Sequence, residues 1–215
     1  MIGLIRLGLI LALVALVGCS YSDVRTNAHI DNALARAGTH SFAVAVTFRR
    51  VREPTGALNT FPNGGVPKVL EHEARVYLVD VGRQTVTLAA RIVDFADIPQ
   101  PKSVRVEGWR EDALYFSLFG YGGDARRGDD LSDPRRLIYA VDSSGQLRRL
   151  DALPDDLVQE RVSGPLGKPP FLRLSKGYRS IDIGIDSRPR VSEDAARFVL
   201  DADSGEPRLV IPEET

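Results

Sequence analysis

The chain has 215 residues, of which 43% are hydrophobic and 27% are charged. This length and composition suit one compact domain or two small ones and exclude a disordered chain. The 28 Lys and Arg residues nearly balance the 29 Asp and Glu residues, so no overall electrostatic field recruits nucleic acid. We therefore expect no nucleic-acid partner.

The N-terminus has the layout of a secretory signal peptide. Arg6 precedes an apolar run from Leu7 to Val17, which is followed by a small residue and a cysteine. The run has eleven residues, whereas a helix needs roughly 20 to cross a bilayer. A permanent membrane span is therefore not expected here.

The residues Leu16-Val17-Gly18-Cys19 resemble the lipobox of bacterial lipoproteins. The resemblance implies cleavage between Gly18 and Cys19, acylation of Cys19, and anchoring by two or more acyl chains. Ser20, next to the cysteine, resembles the sorting signal of lipoproteins sent to the outer membrane of Gram-negative bacteria, where the protein would face the periplasm. The alternative is that Cys19 is only a small residue at the end of an ordinary signal peptide.

Three segments follow from this interpretation: a signal peptide over 1–18, a lipidated tether over 19–39 and a β-rich domain over 40–215. The tether includes a short predicted helix from Asp31 to Ala37, ended by Gly38. Because Cys19 is the only cysteine, the exported domain forms no internal disulfide, and its stability depends on packing.

The pattern after residue 40 predicts an all-β fold built mostly of antiparallel hairpins. β-Branched and aromatic stretches alternate with turn-type segments rich in Gly, Asp and Ser, and no second helical pattern occurs. The predicted strands are 42–48, 74–81, 85–93, 103–109, 113–119, 136–142, 146–150, 171–174, 180–185, 197–201 and 208–211.

A hairpin pattern of strand, acidic turn, glycine and strand occurs three times, about 60 residues apart. The turns contain Asp80 with Gly82, Asp142 with Gly145, and Asp201 with Gly205. The middle copy, together with Val104–Trp109 and Ala113–Ser117, resembles a blade of TolB-type β-propellers over about 45 residues. The resemblance implies a propeller-like domain or stacked blade-like sheets, and a β-sandwich is the alternative.

No motif of a known enzyme class is complete in this sequence. His72-Glu73 begins like a zinc-protease helix, but Val76 stands where the second histidine is needed. G-x-S-x-G and phosphate-loop patterns are absent. The acidic stretch 124–133 and the Asp201 turn resemble calcium loops, but internal pairing and turn formation explain them better. We expect a protein that is not an enzyme and has no metal or cofactor.

Four aromatic residues are the candidate binding residues: Trp109, Tyr115, Phe119 and Tyr121. Tyr121 is notable because it stands between two glycines. The alternative is that these side chains belong to the core, as aromatics in strands commonly do. Paired arginines, such as Arg49-Arg50, would make a basic patch only if they shared a face, and neighbours in a strand do not.

The sequence therefore predicts a lipid-anchored envelope protein that acts as a non-enzymatic interaction module, with another envelope protein as its partner. Loops near 52–70 and 120–135 are the expected contact surface. The first alternative is a periplasmic protein that binds a small ligand or the cell wall. The second, a hydrolase or metal enzyme, lacks an identifiable nucleophile, base or ligand set.

Overall fold

The computed structural model describes residues 21–36, 38–54, 68–93, 100–121, 134–158, 171–184 and 196–211. These residues form twelve β-strands in three four-stranded sheets, which confirms the predicted all-β class. Within the described ranges there is no helix with the length and apolar character needed to span a bilayer.

Each sheet contains four consecutive strands. Sheet A consists of β1 (Tyr21–Ala35), β2 (Ser41–Pro54), β3 (Lys68–Asp80) and β4 (Thr85–Ile92). Sheet B consists of β5 (Gln100–Arg110), β6 (Ala113–Tyr121), β7 (Pro134–Val141) and β8 (Leu147–Leu150). Sheet C consists of β9 (Phe171–Leu174), β10 (Ser180–Gly184), β11 (Ala196–Leu200) and β12 (Pro207–Val210).

Strands adjacent in sequence are hydrogen-bonded neighbours in every sheet, so each sheet is an up-and-down meander. The three copies of the predicted hairpin are the last hairpins of sheets A, B and C, namely β3–β4, β7–β8 and β11–β12. Their acidic turns close as expected: Asp142 and Asp201 accept hydrogen bonds from the backbone of Ser144 and Ser204, and Gly145 and Gly205 have positive φ. The repeat thus corresponds to one structural unit per sheet.

The predicted helix from Asp31 to Ala37 is wrong, because Asp31 to Ala35 belong to strand β1. The adjacent residues Leu34 and Ala35 are buried in two different core clusters, as the alternation of side chains along a strand requires. Asp31 and Asn32 use their side chains to bind backbone groups of β5. Tertiary contacts therefore override the helical propensity of the Ala- and Leu-containing segment.

The chain divides into two compact units. Unit 1 comprises Met1–Asn27 and Arg49–His72, of which 21–27, 49–54 and 68–72 are described. It contains the N-terminal segments of β1 and β3 and the C-terminal segment of β2. Unit 2 comprises Ala28–Phe48 and Glu73–Thr215, and includes all described residues of sheets B and C.

Within unit 2, both faces of sheet A are buried. Ala43 and Val76 pack with residues of sheet B, including Phe116. Phe42 and Val44, which alternate with Ala43, pack in a second cluster with Phe198 of sheet C. Because both faces are apolar, the central part of β2 is a continuous hydrophobic run. Small alanines on the sheet B side allow Phe116 and Trp109 to fill that layer.

The edge strand β5 is closed by groups outside its own sheet. The Asp31 carboxylate accepts a hydrogen bond from the Val104 N–H at 2.9 Å. The Asn32 amide accepts one from the Val106 N–H at 2.8 Å and donates one to the Val106 carbonyl at 3.0 Å. Trp109 exchanges two backbone hydrogen bonds with Val158. These contacts occupy the outer edge of β5 between Val104 and Trp109, where another chain could otherwise pair.

Candidate functional site

The four predicted binding aromatics do not form one cluster. Trp109 is 6% exposed and belongs to the core between sheets A and B, where the Arg36 guanidinium lies 5.0 Å from its ring centroid. Tyr115, Phe119 and Tyr121 alternate along β6 and therefore share the other face of sheet B. Tyr115 is buried, whereas Phe119 is 40% exposed.

We name the side chains on this face of β6 the β6 row; it consists of Tyr115, Ser117, Phe119 and Tyr121. The Phe119 and Tyr121 rings meet edge to face, with centroids 6.4 Å apart. In the register, Phe119 lies between Ser103 of β5 and Arg136 of β7. The exposed end of the row is therefore an aromatic pair flanked by an arginine.

The centre of this face contains a buried carboxylate that the sequence analysis did not single out. Glu107 is 5% exposed and lies at a bulge between Val106 and Gly108. Its Oε1 accepts a hydrogen bond from Ser117 Oγ at 2.5 Å and lies 2.7 Å from Nη2 of Arg136. The single acid in the alternating stretch Val104–Trp109, next to a glycine, is the only sequence signal for this site.

The hydrogen bonds to Glu107 fix the position of Arg136. A buried carboxylate is costly unless donors surround it, and Arg105 is a second cation, 3.7 Å from Oε2. Both arginine side chains remain about half exposed. Glu107 therefore holds two guanidinium groups at the surface beside the aromatic end of the β6 row.

A shallow groove of about 300 Å³ lies at the other end of sheet B. Tyr115 is the only member of the predicted aromatic set that lines it. Asp142 is occupied in its own turn, where the Ser144 hydroxyl donates to it and lowers the pKa of its carboxyl group. Asp112 is paired with Arg36 at 2.9 Å. The lining has two exposed arginines, Arg148 and Arg110, and Arg110 is paired with Asp156 at 3.3 Å. The third carboxylate of the lining, Glu111, is exposed.

Sheet A contains a second buried ionic group. Glu73 is 3% exposed and accepts hydrogen bonds from Arg91 and Arg75. The bond from Arg91, assisted by Arg75, holds the pKa of the Glu73 carboxyl below its ordinary value despite burial. The Arg75 guanidinium also lies 4.0 Å from the Phe48 ring centroid and 3.2 Å from Glu206. Each charge has a partner within the core, so this group is structural.

The described residues contain no group of three or more His, Cys, Asp or Glu side chains able to hold a metal ion. Asp201 accepts hydrogen bonds from Asp203 N, Ser204 N and Ser204 Oγ, which supports the hairpin-turn interpretation of this segment. The acidic stretch 124–133 lies outside the described residues.

Gly18 and Cys19 also lie outside the described residues, as do most of the two predicted contact loops. Only residues 52–54, 68–70, 120–121 and 134–135 of those loops are described. No protein-family model, curated protein or solved structure matches this chain.

Proposed function

We propose that this protein is a non-enzymatic lipoprotein, anchored to the outer membrane by Cys19, whose β domain binds another envelope protein. The lipobox Leu16-Val17-Gly18-Cys19 supports the anchor. One observation carries the binding role: the Phe119–Tyr121 pair is partly exposed beside Arg136, which Glu107 holds in place.

Aromatic and arginine side chains carry much of the binding energy in protein interfaces. Phe119 offers apolar area, and its orientation is restricted by the edge-to-face contact with Tyr121. Arg136 offers a planar set of donors whose position is fixed before a partner arrives. Such preorganisation reduces the entropy lost on binding.

We interpret the three sheets as stacked blade-like units. The interpretation is supported by the four-stranded meander in each sheet and by the recurrence of the same acidic hairpin at its end. It is also supported by the two separate core clusters on the two faces of sheet A. Loops and exposed faces of such units are usual sites for partners.

The protein-binding role is tested by crosslinking in cells followed by affinity purification of the lipoprotein. Phe119→Ala is the test variant, and Leu88→Ala is the matched control because Leu88 is 47% exposed on β4. Loss of a hot-spot aromatic costs about 2 kcal/mol, or about 30-fold in Kd. We expect Phe119→Ala to lose the crosslinked partner and Leu88→Ala to retain it; equal recovery would contradict the assignment.

The anchor is tested by intact mass and membrane partition of wild type and Cys19→Ala. We expect the wild type to carry the mass of the acyl chains and to stay with the membrane, and we expect Cys19→Ala to do neither. A wild type without acyl mass contradicts lipidation.

A second candidate is the binding of a small anionic ligand in the groove at Tyr115. It is favoured by the exposed Arg148 and by the pairing of two of the three carboxylates of the groove, Asp112 and Asp142; the third, Glu111, is exposed. Calorimetric titration with anionic cell-wall fragments tests it. Arg148→Gln should abolish the heat of binding, and Arg173→Gln, an exposed arginine on sheet C, should preserve it.

A further inference from the structure

Unit 1 exposes several apolar side chains at the ends of its strands. Val24 is 41% exposed, Val69 is 45% exposed and Leu70 is 38% exposed. Val24 lies on β1, and the other two lie at the start of β3. Three of the described side chains of unit 1 are thus both aliphatic and exposed, and all three lie near strand ends.

The same unit carries exposed arginines. Arg49 donates a hydrogen bond to the His72 imidazole at 3.3 Å, and Arg50 pairs with Glu71 at 3.2 Å. Neither Arg25 nor Arg52 has a salt bridge to another described residue, and both are exposed. Glu71 offsets the charge of Arg50, but Arg49 and Arg52 are an odd number of residues apart in β2, so their side chains point to opposite faces. Positive charge therefore lies on both faces of the strand ends.

The chain connection places this unit close to the proposed lipid. Strand β1 begins at Tyr21, two residues after Cys19, and two extended residues span at most about 7 Å. Val24 lies three residues further along the strand, at most about 10 Å more. Arg25 is thus within a short distance of any bilayer that holds the acyl chains of Cys19. The end of β2 and the start of β3 follow in the same sheet, because β1, β2 and β3 are hydrogen-bonded neighbours in this order.

We infer that the strand ends of unit 1 lie against the headgroup layer of an anionic phospholipid bilayer. Arg25 and Arg52 bind lipid phosphates, and Val24, Val69 and Leu70 contact the interfacial region. Arginine suits this role because its planar guanidinium matches phosphate oxygens bidentately. Because the arginines lie on both faces of the sheet, the strand ends can meet an anionic bilayer end-on. A protein partner bound to one face would contact only part of these charges.

This inference rests on the proposed lipidation of Cys19. An acyl anchor and a basic surface are commonly combined in membrane attachment, because each alone is weaker. Here the arginines would set the orientation of the strand ends on the bilayer. Contacts between exposed charges and a charged surface weaken with ionic strength, so the orientation depends on salt.

The experiment uses the full acylated protein in vesicles of phosphatidylethanolamine and phosphatidylglycerol. Because Cys19 is the only cysteine and is consumed by acylation, an introduced cysteine is the sole thiol available for a fluorophore. Leu70→Cys is the test site, and Leu88→Cys is the control, since it is comparably exposed on β4 and is assigned no lipid contact. The fluorophore is quenched by lipids that carry a nitroxide on the headgroup.

We expect severalfold stronger quenching at Leu70→Cys than at Leu88→Cys. Replacing both Arg25 and Arg52 by Gln in the Leu70→Cys protein should reduce the quenching, and high salt or phosphatidylcholine vesicles should do the same. Val69→Cys provides a second test site if Leu70→Cys folds poorly, and circular dichroism checks each variant.

The failures are distinguishable. Intact mass and vesicle flotation are measured first, and a protein without acyl mass contradicts the proposed function. If the protein is acylated and floats, but Leu70→Cys and Leu88→Cys are quenched equally, the lipid-facing surface is wrong while the anchor stands. If replacing Arg25 and Arg52 by Gln leaves the quenching at Leu70→Cys unchanged, the inferred contact between these arginines and lipid phosphates is wrong.

Discussion

Gly205 and Gly145 occupy equivalent turns but have different surroundings. Each glycine follows an Asp-containing turn, has positive φ (+70° and +81°) and donates its N–H to the carbonyl of that aspartate at 3.0 Å. A Cβ on Gly145 would meet nothing within 4 Å, whereas a Cβ on Gly205 would lie 2.8 Å from Phe48 Cε2. Alanine at Gly145 therefore measures the cost of backbone strain alone, whereas alanine at Gly205 measures backbone strain together with steric overlap.

The expected losses of stability follow from these two contributions. Alanine at positive φ costs roughly 1–2 kcal/mol, and this is the whole effect expected for Gly145→Ala. Overpacking a core adds about 1–3 kcal/mol, so Gly205→Ala should lose about 2–5 kcal/mol. Phe48 cannot easily move away, because it is 4% exposed and lies beneath the Arg75 guanidinium.

Urea unfolding of the detergent-solubilised full chain measures the free energy of unfolding for both variants. Trp109, the only tryptophan and a core residue, reports the transition by fluorescence. Phe48→Leu should recover part of the loss in the Gly205→Ala background, because it shortens the opposing side chain. Equal losses in the two glycine variants, or no coupling to Phe48, would refute the packing argument.

Three further predictions concern polar groups, each measured by urea unfolding. Glu107→Ala should lose about 2 kcal/mol because a charged acceptor is removed from Ser117 and Arg136; an unchanged stability would contradict the role of Glu107. Asn32→Ala should cost about 2 kcal/mol because the buried Val106 N–H and carbonyl lose their partners, and a neutral result would mean that water replaces the amide. The pKa of Glu73 is lowered by its hydrogen bonds to Arg91 and Arg75, so the stability that Glu73 contributes is present at neutral pH and is lost as pH falls through that lowered pKa. Glu73→Gln should be less stable at neutral pH and less sensitive to acid, and parallel pH curves would refute this.

Much of the strand pattern could be predicted from the sequence, because it depends on local chemistry. The stretch 42–48 lies within β2, and the stretch 113–119 lies within β6. Their β-branched and aromatic residues favour a pleated backbone, and the Asp-Ser-Gly turns fix the hairpins. Strand β1 was missed because its segment around Asn32 and Leu34 has no local β signal; its strand conformation depends on contacts with β5 and with two core clusters.

The candidate site could be predicted only in part. The residues Tyr115, Phe119 and Tyr121 were identified by type, and their common face follows from the alternation of a strand. Trp109 points to the opposite side because the bulge at Val106/Gly108 shifts the register of β5. Glu107 is the residue inserted at this bulge, and its carboxylate accepts the hydrogen bond of the Ser117 hydroxyl. A bulge of this kind depends on the pairing of two strands, so the residue pattern of β5 alone does not reveal it.

The way β5 is closed bears on how this domain would meet the proposed partner. Side chains of Asp31 and Asn32 occupy backbone groups that would otherwise be free for strand pairing, and Val158 occupies those of Trp109. Recruitment of a partner by strand addition at β5 would require breaking these bonds, each worth about 1 kcal/mol and together a substantial barrier to pairing. Binding through the face of sheet B, at Phe119, Tyr121 and Arg136, requires no such loss. The closed edge of β5 and the exposed side chains of sheet B therefore both favour a partner that contacts side chains over one that adds a strand to the sheet.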